Sequence, residues 1–417
     1  MWRRSFVVGS RYRQIKTPNL NPSSRNEPRQ SKPTVTNHGQ SINPVFLPYN
    51  RLPRSMATES GTHAYRNEHG DEFGRTYFRQ LGDFAVSSVG VGTYLGDPTD
   101  EVDEAYHDAI TTALAGGSNV IDTAINYRCQ RSERVVGQAL VDSDVDRESV
   151  FVATKGGFVP FDGERPDNPG EFVKAEYVDS GLIDRDDLVR GSHCIAPDYI
   201  DDQLNRSLDN LGVDTIDCYY VHNPETQLLE KSEEELYDQL EATFTRLEER
   251  ADAGDIRHYG IATWTGLRVP RGHDDYLSLP EIVSRARNAA KTAENTTTHF
   301  RVVQLPFNVV MADAFTVESQ DGPEGDQSAL WFAHEAGLNV MTSASIAQGD
   351  LAEELPEDVA ERLDGDTTAQ RAINFARSAP GVTCSLVGAS DVTHVEENLD
   401  AGRFDPMGAN AFDAVFE

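Results

Sequence analysis

The sequence predicts an α/β fold, a closed (β/α)8 TIM barrel with an N-terminal β-hairpin cap and two loop insertions on its C-terminal face. Three observations predict it. Past residue 74, eight short β-branched runs alternate with eight amphipathic stretches. The runs are continuously apolar, as strands are when a parallel sheet is buried on both faces. Eight such units within about 320 residues favour closure over an open doubly wound sheet.

The elements follow in order. YFRQLGDFAV (77–86) alternates and turns at Leu81-Gly82-Asp83, so it reads as a hairpin closing the bottom of the barrel. Strands are expected in 87–94, 119–124, 149–157, 215–224, 256–264, 300–308, 339–346 and 383–390. Helices are expected in 101–117, 133–143, 197–212, 234–254, 280–294, 326–337, 367–380 and 391–399, with Gly254 a C-terminal stop before Asp255. The stretches 158–196 and 265–279 are longer than a connection needs. Each follows a strand, so each overhangs the end of a barrel where ligands bind. GVGTYLG (90–96) imitates a dinucleotide-binding glycine loop, but its spacing is GxGxxxG and Asp97-Pro98 follow instead of a helix.

Composition narrows the partners. The 417 residues carry a net charge of -32. Ten Lys and Arg fall in residues 1–55 beside one acid, Glu27; the remaining residues hold 27 basic against 68 acidic side chains. Only Lys155, Lys174, Lys231 and Lys291 follow residue 55. Salt screens the self-repulsion of so acidic a surface, so this is the composition expected of a protein working in concentrated salt, such as one from a halophilic archaeon; an ordinary acidic cytosolic protein is the plainer reading. Nucleic acid and anionic membranes are poor partners for such a surface. No apolar run reaches the roughly 20 residues that cross a bilayer. Four cysteines (Cys129, Cys194, Cys218, Cys384) form no CxxC pair, which suits a reducing cytoplasm. Residues 1–55 are basic, rich in Pro, Asn, Ser and Arg, and aperiodic, so they read as a disordered extension ahead of a 56–417 domain. Their contrast with the acidic remainder suggests a translation start at Met56; an Arg-rich transit peptide is the other reading.

Chemistry collects where polar residues end barrel strands. Asp122 ends the second strand, with Tyr127 in the loop behind it; Lys155 ends the third and His222 the fourth. A chain nearly without lysine keeps one where an apolar strand delivers it into the barrel mouth. A buried ammonium needs a counter-ion, and Asp122 on the neighbouring strand supplies it. An ordinary phenol has a pKa near 10, and an adjacent cation is expected to lower it. Tyr127 then becomes a general acid for a carbonyl oxygen that gains charge, with His222 orienting that oxygen. Taken singly, each has a plainer reading: a helix cap for Asp122, packing for Tyr127, a structural ion pair for Lys155, a satisfied core histidine for His222. Together, on three successive strand ends, they read as one site.

These motifs resemble the aldo-keto reductase superfamily across about residues 75–400. Its Asp-Thr-Ala, Tyr, Ser-Glu pattern is matched by DTAINYRCQRSE, its lysine strand by VFVATK and its histidine strand by DCYYVHNP. The resemblance implies an NADPH or NADH cofactor across the barrel mouth and a small carbonyl or alcohol substrate. It assigns Tyr127 as acid/base, Lys155 and Asp122 as its tuning pair, and His222 as substrate orienter. It places Gln304 at the carboxamide, Thr93 near the nicotinamide ribose, and Ser345, Gly349 and Leu351 in the loop over the pyrophosphate. Glu397 and Asn398 fall on the adenine side, and Ser390 and His394 near a 2′-phosphate. Where such proteins carry Ser-Asn after the fifth strand, this chain has Thr263-Trp264: Thr263 can still hydrogen-bond, while Trp264, with Tyr94, is expected to wall the substrate. Asp391, with no Lys or Arg beside it, would repel a 2′-phosphate, which leaves NADH open. Two other classes stand beside this reading: a nicotinamide-binding regulatory subunit with little turnover, and a metal- or phosphate-dependent lyase. The lyase lacks ligands, His193 and Cys194 being adjacent and isolated, so no metal is expected. Oligomeric state is left open.

Overall fold

The structure is a computed structural model and describes residues 56–416. The expected disorder of residues 1–55 and the expected start at Met56 lie outside the described residues.

The strands are β1 (Phe78–Leu81), β2 (Phe84–Ser87), β3 (Val89–Gly92), β4 (Val120–Asp122), β5 (Phe151–Gly156), β6 (Ile216–His222), β7 (Ile256–Ala262), β8 (Phe300–Pro306), β9 (Glu318–Gly322), β10 (Gly325–Ser328), β11 (Asn339–Ser343) and β12 (Val382–Gly388). β3 to β8, β11 and β12 close one barrel in that order, every pairing parallel. Seven of the eight strands lie inside the stretches the apolar runs mark out, and β12 begins one residue ahead of its stretch, at Val382. β1 and β2 pair antiparallel around Gly82, as the alternation predicts. Leu81, Phe84 and Val86 from this hairpin join Val120, Phe151, Cys218, Tyr220, Val302 and Met341 in one buried cluster. The hairpin therefore plugs the end of the barrel opposite the strands' C termini, each large apolar side chain contributing about 1.5–3 kcal/mol by burial.

The helices in chain order are α1 (Glu59–His69), α2 (Asp100–Ala115), α3 (Arg131–Asp142), α4 (Pro169–Val173), α5 (Pro197–Leu211), α6 (Glu233–Ala253), α7 (Leu279–Thr292), α8 (Asp313–Thr316), α9 (Ala329–Glu335), α10 (Asp350–Glu353), α11 (Glu357–Ala360), α12 (Thr368–Ser378), α13 (Val392–Asp400) and α14 (Ala409–Asp413). Their ends follow local chemistry. α6 starts in a Ser232–Glu235 capping box and stops at Gly254 in the left-handed region, φ 86°.

Three features depart from expectation. α1 lies ahead of the hairpin, capped by Thr58, with the Tyr65 hydroxyl donating to Leu114 O at 2.5 Å. Its polar outer face hides the helical period. The segment 326–337 is not one helix: it opens as β10, paired with β9, and turns helical only at Ala329, where the Ser328 hydroxyl accepts from the Trp331 amide. That hairpin belongs to a third excursion, 307–328, because Gly322 and Gly325 fold QDGPEGDQ into a tight turn that polar composition disguised as loop.

Candidate active site

β4, β5 and β6 are neighbours in the barrel, and each delivers one polar side chain to the same end. The Lys155 ammonium donates to Asp122 Oδ1 and, at 2.8 Å, to Thr123 O. Gln304, from the end of β8 across the barrel, donates through Nε2 to Asp122 Oδ2 at 2.7 Å. Both carboxylate oxygens are thus engaged, and Lys155 is wholly buried. Lys155 Nζ lies 4.9 Å from the centre of the Tyr127 ring. The Tyr127 and His222 rings sit 6.0 Å apart, edge to face. Tyr94 packs against Tyr127, ring centres 5.0 Å apart, and is exposed. The four residues picked from strand ends therefore form one cluster.

Electrostatics follow from burial and pairing. Burial alone would depress the Lys155 ammonium, but Asp122 and Tyr127 overcome it and hold it above the ordinary lysine value. Burial raises the Asp122 carboxyl, partly offset by Lys155 and Gln304. For Tyr127 the sequence expectation needs correcting. Burial raises the hydroxyl above the ordinary phenol value; Lys155 pulls it down, Asp122 pushes it up, and the balance is upward. The phenol is therefore held protonated, the form a proton donor needs. Burial, with the Lys155 charge and the neighbouring His193 ring, keeps His222 well below the ordinary imidazole value, so its ring is held neutral.

A frame holds this cluster. The Ser132 hydroxyl donates to Thr93 O at 2.9 Å. Glu133, wholly buried, accepts from Thr154 Oγ1 at 2.6 Å and from Asn210 Nδ2 at 2.8 Å. These bonds tie the start of α3 to the strand carrying Lys155 and to α5. Between Tyr127 and α3, Arg128, Cys129 and Gln130 all have positive φ (47°, 56° and 69°), a region unfavourable for non-glycine residues. Arg128 fixes this run through Asp103 and the carbonyls of Asp97 and Thr99, and Gln130 through Phe161 O. The side chains of Arg128 and Gln130 thus serve the frame.

The expected cofactor residues line the same rim in different ways. Gln304 is buried with its amide nitrogen committed to Asp122, which leaves its carbonyl as an acceptor. Thr93, Thr263, Ser345 and Leu351 turn their side chains inward. Thr93 donates to Thr123 Oγ1 at 2.9 Å and Ser345 to Leu386 O at 3.1 Å, so these hydroxyls are engaged within the protein. The 344–349 loop carries left-handed backbone at Ala344, Ala347, Gln348 and Gly349. Ser390 and His394 are exposed, Glu397 is half-buried and Asn398 is buried. Asp391 already caps α13, accepting from the Thr393 and His394 amides at 2.9 and 3.3 Å. A carboxylate therefore occupies that helix start, which supports the expected repulsion of a phosphate there.

Sequence reasoning missed Glu225, Gln227 and His193. Glu225 is buried, and its Oε1 accepts from the amides of Trp264, Thr265 and Gly266 at 2.6, 2.9 and 3.4 Å. That sets the course of the insertion holding Trp264. His193 is not isolated: it contacts the main chain of His222. The NPETQ stretch after β6 carried a signal, three amide- or acid-bearing residues (Asn223, Glu225 and Gln227) directly behind a site histidine. Among the described residues, no group of three or more His, Cys, Asp or Glu could hold a metal ion, and no helix is long and apolar enough to cross a membrane.

A model of the Aldo/keto reductase family matches residues 88–271. A putative voltage-gated potassium channel subunit beta of Schizosaccharomyces pombe is 24% identical over 78% of this chain and 88% of its own length. An NADH-specific methylglyoxal reductase of Escherichia coli is 31% identical over 43% of this chain and 49% of its own. Among solved structures, a holo-form aldo-keto reductase from Bacillus halodurans superposes with a TM-score of 0.54 at 22% identity, covering 82% of this chain and 95% of its own. An aldo/keto reductase from Klebsiella pneumoniae in complex with NADP and acetate gives 0.53 at 18%, covering 82% and 94%. These structural likenesses bear on the fold, and they agree with the closed barrel.

Proposed function

We propose that this chain belongs to the aldo/keto reductase family, whose model matches residues 88–271, and is an NAD(P)H-dependent oxidoreductase that reduces an aldehyde or ketone to an alcohol, or runs the reverse reaction. The observation that carries this reading is the Asp122–Lys155–Tyr127–His222 cluster at the strand ends. A nicotinamide dinucleotide fits the donors and acceptors of the rim: the Gln304 carbonyl can take a carboxamide N–H, and the 344–349 backbone and the exposed start of α13 border the remaining length. When bound, it supplies or accepts the hydride.

The chain's own residues do the rest. Tyr127, held protonated by burial, donates its hydroxyl proton to the carbonyl oxygen as charge builds there. The Lys155 cation, fixed by Asp122 and Thr123, stabilises the phenolate left behind. Neutral His222 hydrogen-bonds the same oxygen and sets its direction, while Tyr94 and Trp264 border the space the substrate occupies. Asp391 at the start of α13, with His394 beside it but no Lys or Arg in residues 388–400, favours NADH over NADPH. Acidic composition supports a salt-adapted setting, and four cysteines without a CxxC pair suit a cytoplasmic one.

Tyr127→Phe is expected to lower kcat for 4-nitrobenzaldehyde about 10²- to 10⁴-fold, the range a general acid contributes, while quenching titrations show unchanged nicotinamide affinity. Full turnover by that variant removes Tyr127 from the mechanism, and tighter binding of NADPH than of NADH removes the cofactor preference. A second reading, a nicotinamide-binding regulatory subunit, draws on the likeness to the fission-yeast channel subunit. Tight nicotinamide binding without wild-type turnover, together with a stable partner on pull-down, would favour it.

A further inference from the structure

Pairing between β5 and β6 ends with Gly156 opposite Val221, one residue short of His222. Beyond it the chain turns into the left-handed region at Asn223, φ 44°. The carbonyl of His222 therefore has no strand partner on the β5 side. His193, from the far end of the 158–196 insertion, takes that place: its Nε2 lies 2.7 Å from His222 O. A carbonyl only accepts, so Nε2 carries the hydrogen. The other ring nitrogen, Nδ1, lies 2.7 Å from Gln227 Nε2, an amide that only donates. Both nitrogens are thereby assigned, and the ring is neutral in a single tautomer. Burial agrees, pushing His193 down to about 4.

The surroundings are shaped to this bond. Phe158 stands edge-on to both rings, 4.7 Å from His193 and 5.1 Å from His222. Gly157 has φ 144°, and a Cβ there would come within 2.9 Å of His222 O and 3.1 Å of His193 Nε2. A side chain at 157 would thus wedge apart donor and acceptor. The Gly157 carbonyl accepts from the Cys194 amide at 2.9 Å, so the insertion is laced to β5 next to the same contact.

We propose that His193 is a positioning residue: held by Gln227, it fixes the backbone carbonyl of His222 and so aims the imidazole that orients the substrate oxygen. This rests on the proposed function for its catalytic meaning, but not for its structural content. The test compares His193→Leu, which removes both ring hydrogen bonds, with His193→Gln, whose amide can still donate to the carbonyl. Steady-state kinetics use 4-nitrobenzaldehyde with NADH, and imidazole ¹⁵N NMR of His222 is recorded on the same proteins. The expected result for His193→Leu is a shifted His222 signal and kcat/KM lower by about 10²-fold, the effect of a group misplaced by about 1 Å, with nicotinamide affinity unchanged. His193→Gln is expected to recover most of both. A His222 signal and kcat/KM like wild type in His193→Leu overturn the proposal, as does a folded His193→Gln damaged as deeply as the leucine variant. Should His193→Leu not fold, Gln227→Leu, which frees the tautomer, is read instead, and an unmoved His222 signal there overturns it. Wild-type protein without turnover would sink the proposed function alone, because the NMR comparison still decides the role of His193.

Discussion

Lys155 and Asp122 are buried together, yet losing one is not equivalent to losing the other. Asp122→Asn leaves an ammonium with carbonyl and amide partners but no counter-charge, and is expected to destabilise the fold by roughly 3–5 kcal/mol. Lys155→Met leaves a carboxyl that can neutralise itself by taking up a proton. Burial already raises Asp122, and removing the cation raises it further above its unfolded value. The folded variant then binds more protons than the unfolded chain, so its stability grows as pH falls through the folded pKa and shrinks above it. Urea midpoints measured between about pH 8 and about pH 5 should therefore rise for Lys155→Met relative to wild type; a flat difference would contradict the pairing. At this scale the sequence was informative. A lysine retained by a lysine-poor chain at the end of FVATK, beside a strand ending in aspartate, specifies the pair. The upward balance at Tyr127 was not legible, because it depends on how deeply the hydroxyl is enclosed.

The 3-10 turn Pro224–Leu229 directly after β6 joins both expected insertions to the site. Gln227 takes His193 at the end of one, and Glu225 takes the amides of residues 264–266 at the start of the other. The 265–279 insertion then leans on the third excursion, Arg268 pairing with Asp313 and Tyr276 donating to Ser319 O at 2.8 Å. Glu225→Ala strips an acceptor from three amides, which is expected to cost about 1–3 kcal/mol. Hydrogen exchange at Trp264–Gly266 should accelerate and KM for the carbonyl substrate should rise, with nicotinamide affinity unchanged. Unaltered exchange would mean that the loop holds its course by other contacts. The strands were legible because a buried parallel sheet forces continuous apolar runs. The β9–β10 hairpin was not, since its side chains are largely polar and its pairing is local to an excursion away from the barrel core.

Over the whole molecule, charge is the dominant sequence signal. Acidic side chains of like sign repel one another across a compact surface, and the Debye length falls from about 10 Å at 0.1 M salt to about 3 Å at 1 M. The urea midpoint is therefore expected to rise as potassium chloride increases over that range; a midpoint that falls or stays level would separate the composition from salt adaptation. Much of this charge is paired locally, as in the Arg285 cluster with Asp238, Glu241 and Glu281, so the response reports the unpaired excess. By itself the sequence determined the eight-unit barrel, the plugging hairpin and the four side chains at its mouth, since each is encoded in a local pattern: an apolar run, a turn, or a polar residue closing a strand. Tertiary structure alone decided what stands behind those side chains. His193 and His222 are 29 residues apart in the chain, and Glu225 lies 39 from Trp264. No period or motif spans such distances; only closure of the barrel and the return of its insertions bring these atoms within hydrogen-bonding range.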